Sequence, residues 1–194
     1  MEMLVVIGII GILSSALING VSHMKKVAKR TKALNGVTDA RIALNQYLVN
    51  ERKWTASMLS LTAEMDATVT KTLSNHKLLD AVVSGQTSLD RFGLLDDWGR
   101  DQLRRNPNVT AANQVGSDGV NIEEHLIQFR VDADYDGYVD DKDNSPLGLK
   151  IRGHVIVWSR GPDGKDDFEN KNKRYPFDDI ISWNHGQVMS EQGN

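Results

Sequence analysis

Residues 3–22, MLVVIGIIGILSSALINGVS, form a run of twenty residues without a single charge. A helix of that length spans roughly 30 Å, about the hydrocarbon thickness of a bilayer. Val and Ile are modest helix formers in water, and Gly8 and Gly11 are poor ones. In lipid this matters less, because every backbone N–H and C=O must be bonded within the segment. A buried core helix and a cleaved secretory signal are the competing readings. The signal reading fits badly, since no basic stretch precedes the run and no A-x-A-like site follows it. The segment is therefore expected to be a membrane-embedded helix.

Immediately afterwards the composition flips. Residues 24–53 carry eight Lys and Arg against two acids, Asp39 and Glu51, a net of +6. Apolar residues recur at Met24, Val27, Ala28, Leu34, Val37, Ala40, Leu44, Tyr47 and Leu48, the three- and four-residue spacing of a helical stripe. No proline occurs before Pro107. One continuous helix is expected from about residue 2 to about residue 50, roughly 75 Å long. Its first half (1–23) is apolar all round, its second (24–53) amphipathic, and residues 54–194 follow as a globular α+β domain. The positive-inside rule would place Lys25 to Lys32 in the cytoplasm, opposite to the topology reached below.

Whole-chain composition mainly excludes. The formal net charge of -3 makes no case for a nucleic-acid partner. The absence of cysteine removes disulfides, thiolate metal sites and a cysteine nucleophile. The five histidines are scattered without ligand spacing, and no nucleophile elbow, phosphate loop or HExxH occurs, so an enzyme is not expected.

The middle of the chain, residues 54–92, reads as one or two short helices with a break near Gly85. From residue 120 the pattern becomes that of strands. Ile127, Phe129 and Val131 alternate with Gln128 and Arg130, and residues 151–158 alternate likewise, so half-buried strands are expected. In that reading His154 is structural, and the four prolines fall in loops. Residues 54–194 carry 15 basic and 23 acidic residues, so this acidic domain should attract the basic half of the helix, within or between subunits.

Two acidic stretches draw attention as ligand sites. Asp132, Asp134 and Asp136 occupy positions one, three and five of a calcium-loop pattern, followed by Gly137, Tyr138 with its backbone carbonyl at seven, Asp140, and Asp143 at twelve. Calcium takes six to eight hard oxygens, and alternate residues of a tight turn can aim three carboxylates at one centre. Against an EF-hand, position twelve is the shorter Asp and a strand precedes the loop. A solvated β-hairpin turning at Asp136-Gly137 is the other reading. The second stretch begins at Trp158-Ser159-Arg160-Gly161-Pro162-Asp163-Gly164-Lys165 and resumes at Asp178-Asp179-Ile180-Ile181-Ser182-Trp183.

The opening Glu2-Met3-Leu4-Val5-Val6-Ile7-Gly8-Ile9-Ile10-Gly11-Ile12-Leu13 resembles the N-terminal segment of type IV pilins and type II secretion pseudopilins. The resemblance implies that Glu2 is the acid at the head of the apolar helix, paired in assembly with the N-terminal amine of a neighbouring subunit. A carboxylate at the edge of hydrocarbon is costly unless paired or lodged among headgroups, which is the alternative for Glu2. It also implies a basic leader upstream of Met1, whose charges would hold the N-terminus inside and remove the topology conflict. Asp96-Asp97-Trp98-Gly99 resembles the stretch that starts the sheet region of major pseudopilins, with Asp97 in place of the usual Pro. The second acidic stretch resembles their C-terminal calcium loop, which implies Asp163 and either Asp178 or Asp179 as carboxylate ligands. Backbone carbonyls near Lys165 and Ser182 would complete that shell. An acidic surface loop closed by Trp158 and Trp183 is the alternative.

The expectation is thus a pilin-like α+β subunit with a long helix on a small antiparallel sheet and calcium-stabilised loops. It would sit in a bacterial inner membrane as a single-pass protein with its domain in the periplasm. Its implied partners are copies of itself in a helical filament, other pseudopilins, the secretion assembly platform and the prepilin peptidase.

Overall fold

The computed structural model describes residues 2–60, 64–79, 92–105, 109, 121–143, 150–166, 179–183 and 188–189, with backbone alone at 2–5, 7–20, 141 and 188–189. The fold is α+β. Helix α1 (Glu2–Glu51) runs without interruption, as the proline-free sequence requires. Two short helices follow, α2 (Ala67–Asn75) and α3 (Asp97–Arg105). Six strands complete the domain: β1 (Gln128–Val131), β2 (Tyr138–Val139), β3 (Lys150–Arg152), β4 (Val155–Ser159), β5 (Ile180–Ile181) and β6 (Val188–Met189). They form two antiparallel sheets of three, ordered β1-β4-β5 and β2-β3-β6.

The main core lies between the second half of α1 and the first sheet. Ala33, Val37, Ala40, Ala43, Leu44 and Tyr47 present one buried stripe to Phe129, Val131, Val155, Val157 and Ile180. Small residues at three of these positions let the sheet approach the helix backbone closely. The expected stripe needs a correction at its front. Met24, Val27 and Leu34 are exposed, and burial begins at Ala33, one position off Leu34. Residues 21–32 project beyond the domain, with Lys29 alone half-buried. There Lys29 Nζ pairs with Asp101 of α3.

Residues 150–159 are two strands, not one alternating run. Gly153, at φ +140, breaks the run and carries the chain from the second sheet to the first. Strand β4 is buried at all five positions rather than on one face. Val155 and Val157 face α1, whereas Ile156 and Trp158 join Val139, Ile151 and Trp183 in a second cluster. A strand covered on both sides reads as continuous apolar sequence, which VIVW is.

The Asp96-Asp97-Trp98-Gly99 stretch opens helix α3 rather than the sheet. Asp96 Oδ1 accepts from Trp98 N (3.0 Å) and Gly99 N (2.8 Å), an N-cap, and Arg104 and Arg105 sit favourably in the last turn. Gly99 has a packing reason, since a Cβ there would lie 2.6 Å from His125 Cβ. Helix α2 is capped in the same way by Asp66, which accepts from Val69 N at 2.8 Å. It is the one helix described between residues 54 and 92, and Gly85 lies outside the described residues. Pro162 lies in a 3-10 turn, and the other three prolines are outside the described residues.

Among the described residues no helix is long and apolar enough to cross a membrane. The side chains of residues 3–5 and 7–20, most of the uncharged run, are not among them. Glu2 opens α1, and its side chain is likewise outside the described residues.

Candidate metal centre

The first acidic loop joins β1 of one sheet to β2 of the other, so it is not the turn of a β-hairpin. The β1–β4 ladder sets its start. Val131 pairs with Val155, and one residue on, Asp132 N donates to the His154 carbonyl at 3.0 Å. The Asp132 side chain is wholly buried. Its Oδ1 accepts from Asp136 N (3.1 Å), and its Oδ2 accepts from Gly137 N (2.9 Å) and faces His154 Nδ1 at 2.6 Å. Positive φ at Tyr135 (60) and Gly137 (88) folds the chain around this carboxylate. A Cβ at Gly137 would meet nothing within 4 Å, so glycine serves conformation there, not space.

Asp132, Asp134 and Asp136 each direct a carboxylate oxygen to one region, the three lying within 4.8 Å of one another. That group can hold a metal ion. Its donors are all hard oxygens, which suit calcium, magnesium or manganese better than soft-ligand metals. Asp134 and Asp136 are exposed, so the centre opens to solvent.

The remaining acids of the loop staple its backbone. Asp143 is buried, with Oδ1 accepting from Ala133 N (2.9 Å) and Oδ2 from Asp140 N (3.2 Å). Its short side chain thereby ties the end of the loop to its beginning. Burial pushes the Asp143 carboxyl above its ordinary range despite those two N–H donors. Asp140 Oδ1 accepts from Lys142 N (2.9 Å), and its other oxygen lies 3.9 Å from Lys150 Nζ. Tyr138 N donates to Asp136 Oδ1 (2.8 Å), and the Tyr138 ring lies under Lys150 Nζ at 4.4 Å. At Asp134, desolvation is outweighed by hydrogen bonds from Lys142 and Asp136 N, which hold its carboxyl below the usual range.

Two partners of this loop escape a motif reading. His154 contacts Asp132 only through the strand register, and Trp54 arrives from just beyond α1. The Trp54 indole donates to the Asp132 carbonyl at 2.8 Å, and Trp54 N donates to the Tyr135 hydroxyl at 3.0 Å. The loop is thereby fastened to the end of the long helix.

The second acidic stretch is built differently. Gly161–Asp163 is a 3-10 turn ended by Gly164 at φ +68. Asp163 is exposed and accepts from Lys165 N at 3.0 Å. Asp179 is buried at the start of β5, and Asp178 lies outside the described residues. Among the described residues neither Asp163 nor Asp179 joins a group of three potential ligands. The Ser182 carbonyl, expected in a metal shell, accepts from the Arg41 guanidinium. Asp166, not singled out in the sequence, accepts from Trp158 Nε1 (2.7 Å) and Arg160 Nε (3.0 Å). Trp158 and Trp183 meet edge to face at 6.2 Å. Aromatic packing and an Asp–Arg pair thus hold what is described of this loop.

A serine, a histidine and an aspartate also meet in the interior, all buried. Ser159 Oγ donates to Asp96 Oδ2 at 2.7 Å, and His125 Nδ1 lies 3.4 Å from Asp96 Oδ1. The aspartate stands between the other two, the wrong order for a histidine to activate the serine. Asp96 serves as the cap of α3, and Ser159 links it to the Gly161 turn through Gly161 N (3.1 Å).

No protein-family description matches the chain, and no curated protein or solved structure shows significant similarity to it.

Proposed function

We propose that this chain is a structural subunit of a type II secretion pseudopilus. Residues 3–22 anchor it in a bacterial inner membrane with the domain in the periplasm, and α1 then packs it into a filament with copies of itself. The reading assigns it no catalytic step. Other pseudopilins, the assembly platform and a prepilin peptidase acting on the precursor are its remaining partners. One observation carries the reading. The domain covers one face of α1 between residues 33 and 47, while Val21, Met24, Val27, Leu34, Ile42 and Val49 stand exposed. At about 100° per residue these fall on the side opposite the buried stripe. A helix with one face filled by its own domain and large apolar residues exposed among polar ones on the other is suited to packing against another chain.

Within this reading the Asp132, Asp134 and Asp136 group holds calcium. The cation would neutralise three converging carboxylates and order the loop fastened to α1 through Trp54. The same group favours a second reading, a membrane-anchored calcium-binding domain that never polymerises. A type IV pilin subunit for surface filaments is the third.

Replacing Glu2 separates these readings. In the filament reading, Glu2→Ala abolishes cross-linked oligomers in membranes while the domain melts as before. Unchanged oligomer yield argues for the anchored monomer or for an assembly that ignores Glu2.

A further inference from the structure

We propose that residues 21–32 form a collar that binds the anionic phospholipid headgroups of the membrane surface. The inference rests on the anchoring half of the reading above, not on filament assembly. Residues 24–32 contain Lys25, Lys26, Lys29, Arg30 and Lys32 and no acid, directly after the uncharged run 3–22. Two of the helix turns that carry them lie within about 11 Å of rise, so the charges form a compact band. Lys29 pairs with Asp101. Lys25, Lys26, Arg30 and Lys32 are exposed, and among the described residues none forms an ion pair.

The first acidic loop lies too far along the chain to neutralise the other four. The Asp132–Asp143 loop is fastened to Trp54, beyond the end of α1 at Glu51, so about 28 Å of helix lies between Lys32 and that end. That distance is about three times the Debye length of roughly 8–10 Å in physiological salt. Side chains on a helix tilt toward its N-terminus, so the collar cations lean back toward the segment read as embedded. Long basic side chains in that position reach headgroup phosphates while their stems cover apolar surface. Val21, Met24 and Val27, on the other side of the collar, are exposed at 45%, 70% and 51% and suit the boundary between headgroups and acyl chains. Clustered Lys and Arg beside a membrane segment attract anionic lipid in this way generally.

The test uses the full chain reconstituted into vesicles of neutral lipid and into vesicles with an anionic lipid admixed. Flotation establishes insertion in both, and lysine acetylation read by mass spectrometry reports exposure. The expected result is that Lys25, Lys26 and Lys32 acetylate several-fold more slowly in anionic than in neutral vesicles, and that high salt removes the difference. Lys142, on the distant loop, should react alike in both. Equal rates at the collar in floated samples overturn the collar and leave anchoring intact. Protection already present in neutral vesicles and rising with protein density makes a second copy the partner and also overturns it. A chain that floats with neither kind of vesicle overturns anchoring and collar together.

Discussion

The two faces of α1 share a backbone, yet they meet different fates. The face carrying Ala33, Val37, Ala40, Ala43, Leu44 and Tyr47 is filled by the sheet. The face carrying Leu34, Ile42 and Val49 is left bare. What separates them is polar content and register. Alanine recurs on the packed face, letting strands β4 and β5 approach, whereas on the bare one Asn35, Thr38, Asp39 and Gln46 stand between the apolar residues. The helix's outward stripe is thus exposed, and under the proposed function stability and assembly should be separable by mutation.

The largest contrast should come from two residues only two positions apart. Leu44→Asp places a charge in a sealed core and is expected to unfold the domain. Leu44→Ala should cost about 2–5 kcal/mol by denaturant titration. Ile42→Asp, on the bare face, should stay within roughly 0.5 kcal/mol of the parent and reduce association instead. A large loss of stability from Ile42→Asp would erase the distinction between the faces.

Calcium should sharpen it from the packed side. Melting of the full chain in detergent is expected to shift upward with calcium relative to chelator. At a hundredfold excess over the dissociation constant the gain is about 2.7 kcal/mol. Asp132→Asn should remove the shift, whereas Asp163→Asn should not. Equal melting temperatures in calcium and chelator would dismiss the cation site at the first loop.

A smaller effect is expected with pH. Glu64 lies beside the first sheet, where its carboxylate accepts from Gln128 Nε2 at 3.1 Å and faces Arg160 at 3.7 Å. Burial raises its carboxyl above the ordinary carboxylate range, although Gln128 and Arg160 pull the other way. The folded chain therefore holds that proton more tightly than the unfolded chain. Its contribution to stability is full below the unfolded value and is lost as pH rises through the raised native value. Urea titrations from about pH 4 to about pH 7 should show this slope in the parent and a flatter one in Glu64→Gln. Association through the bare face should not follow it.

Much of this architecture is legible in the residues. The proline-free run permits an unbroken α1, the spacing of Val37, Ala40, Leu44 and Tyr47 gives its packed face, and alternate aspartates from Asp132 mark the carboxylate group. What escapes depends on contacts distant in sequence. Ala33 outranks Leu34 because the elements packed on α1, β4 and β5 foremost, decide which residues can be covered. The break at Gly153 divides one apparent strand between two sheets, and only the β1–β4 register brings His154 to Asp132. Arg41 reaches the Ser182 carbonyl across 141 residues of chain. Local pattern carries no trace of such a pairing.

The absence of cysteine makes the central claim open to a direct measurement. Ile42→Cys and Val27→Cys each introduce a unique thiol on the bare face, and Ala56→Cys places one on the exposed turn just beyond α1. Oxidative cross-linking of each full-length variant in membranes should give ladders of covalent oligomers from the two bare-face thiols and little from Ala56→Cys. Monomers alone at both bare-face positions, with both variants folded, would contradict the assignment of this face to assembly.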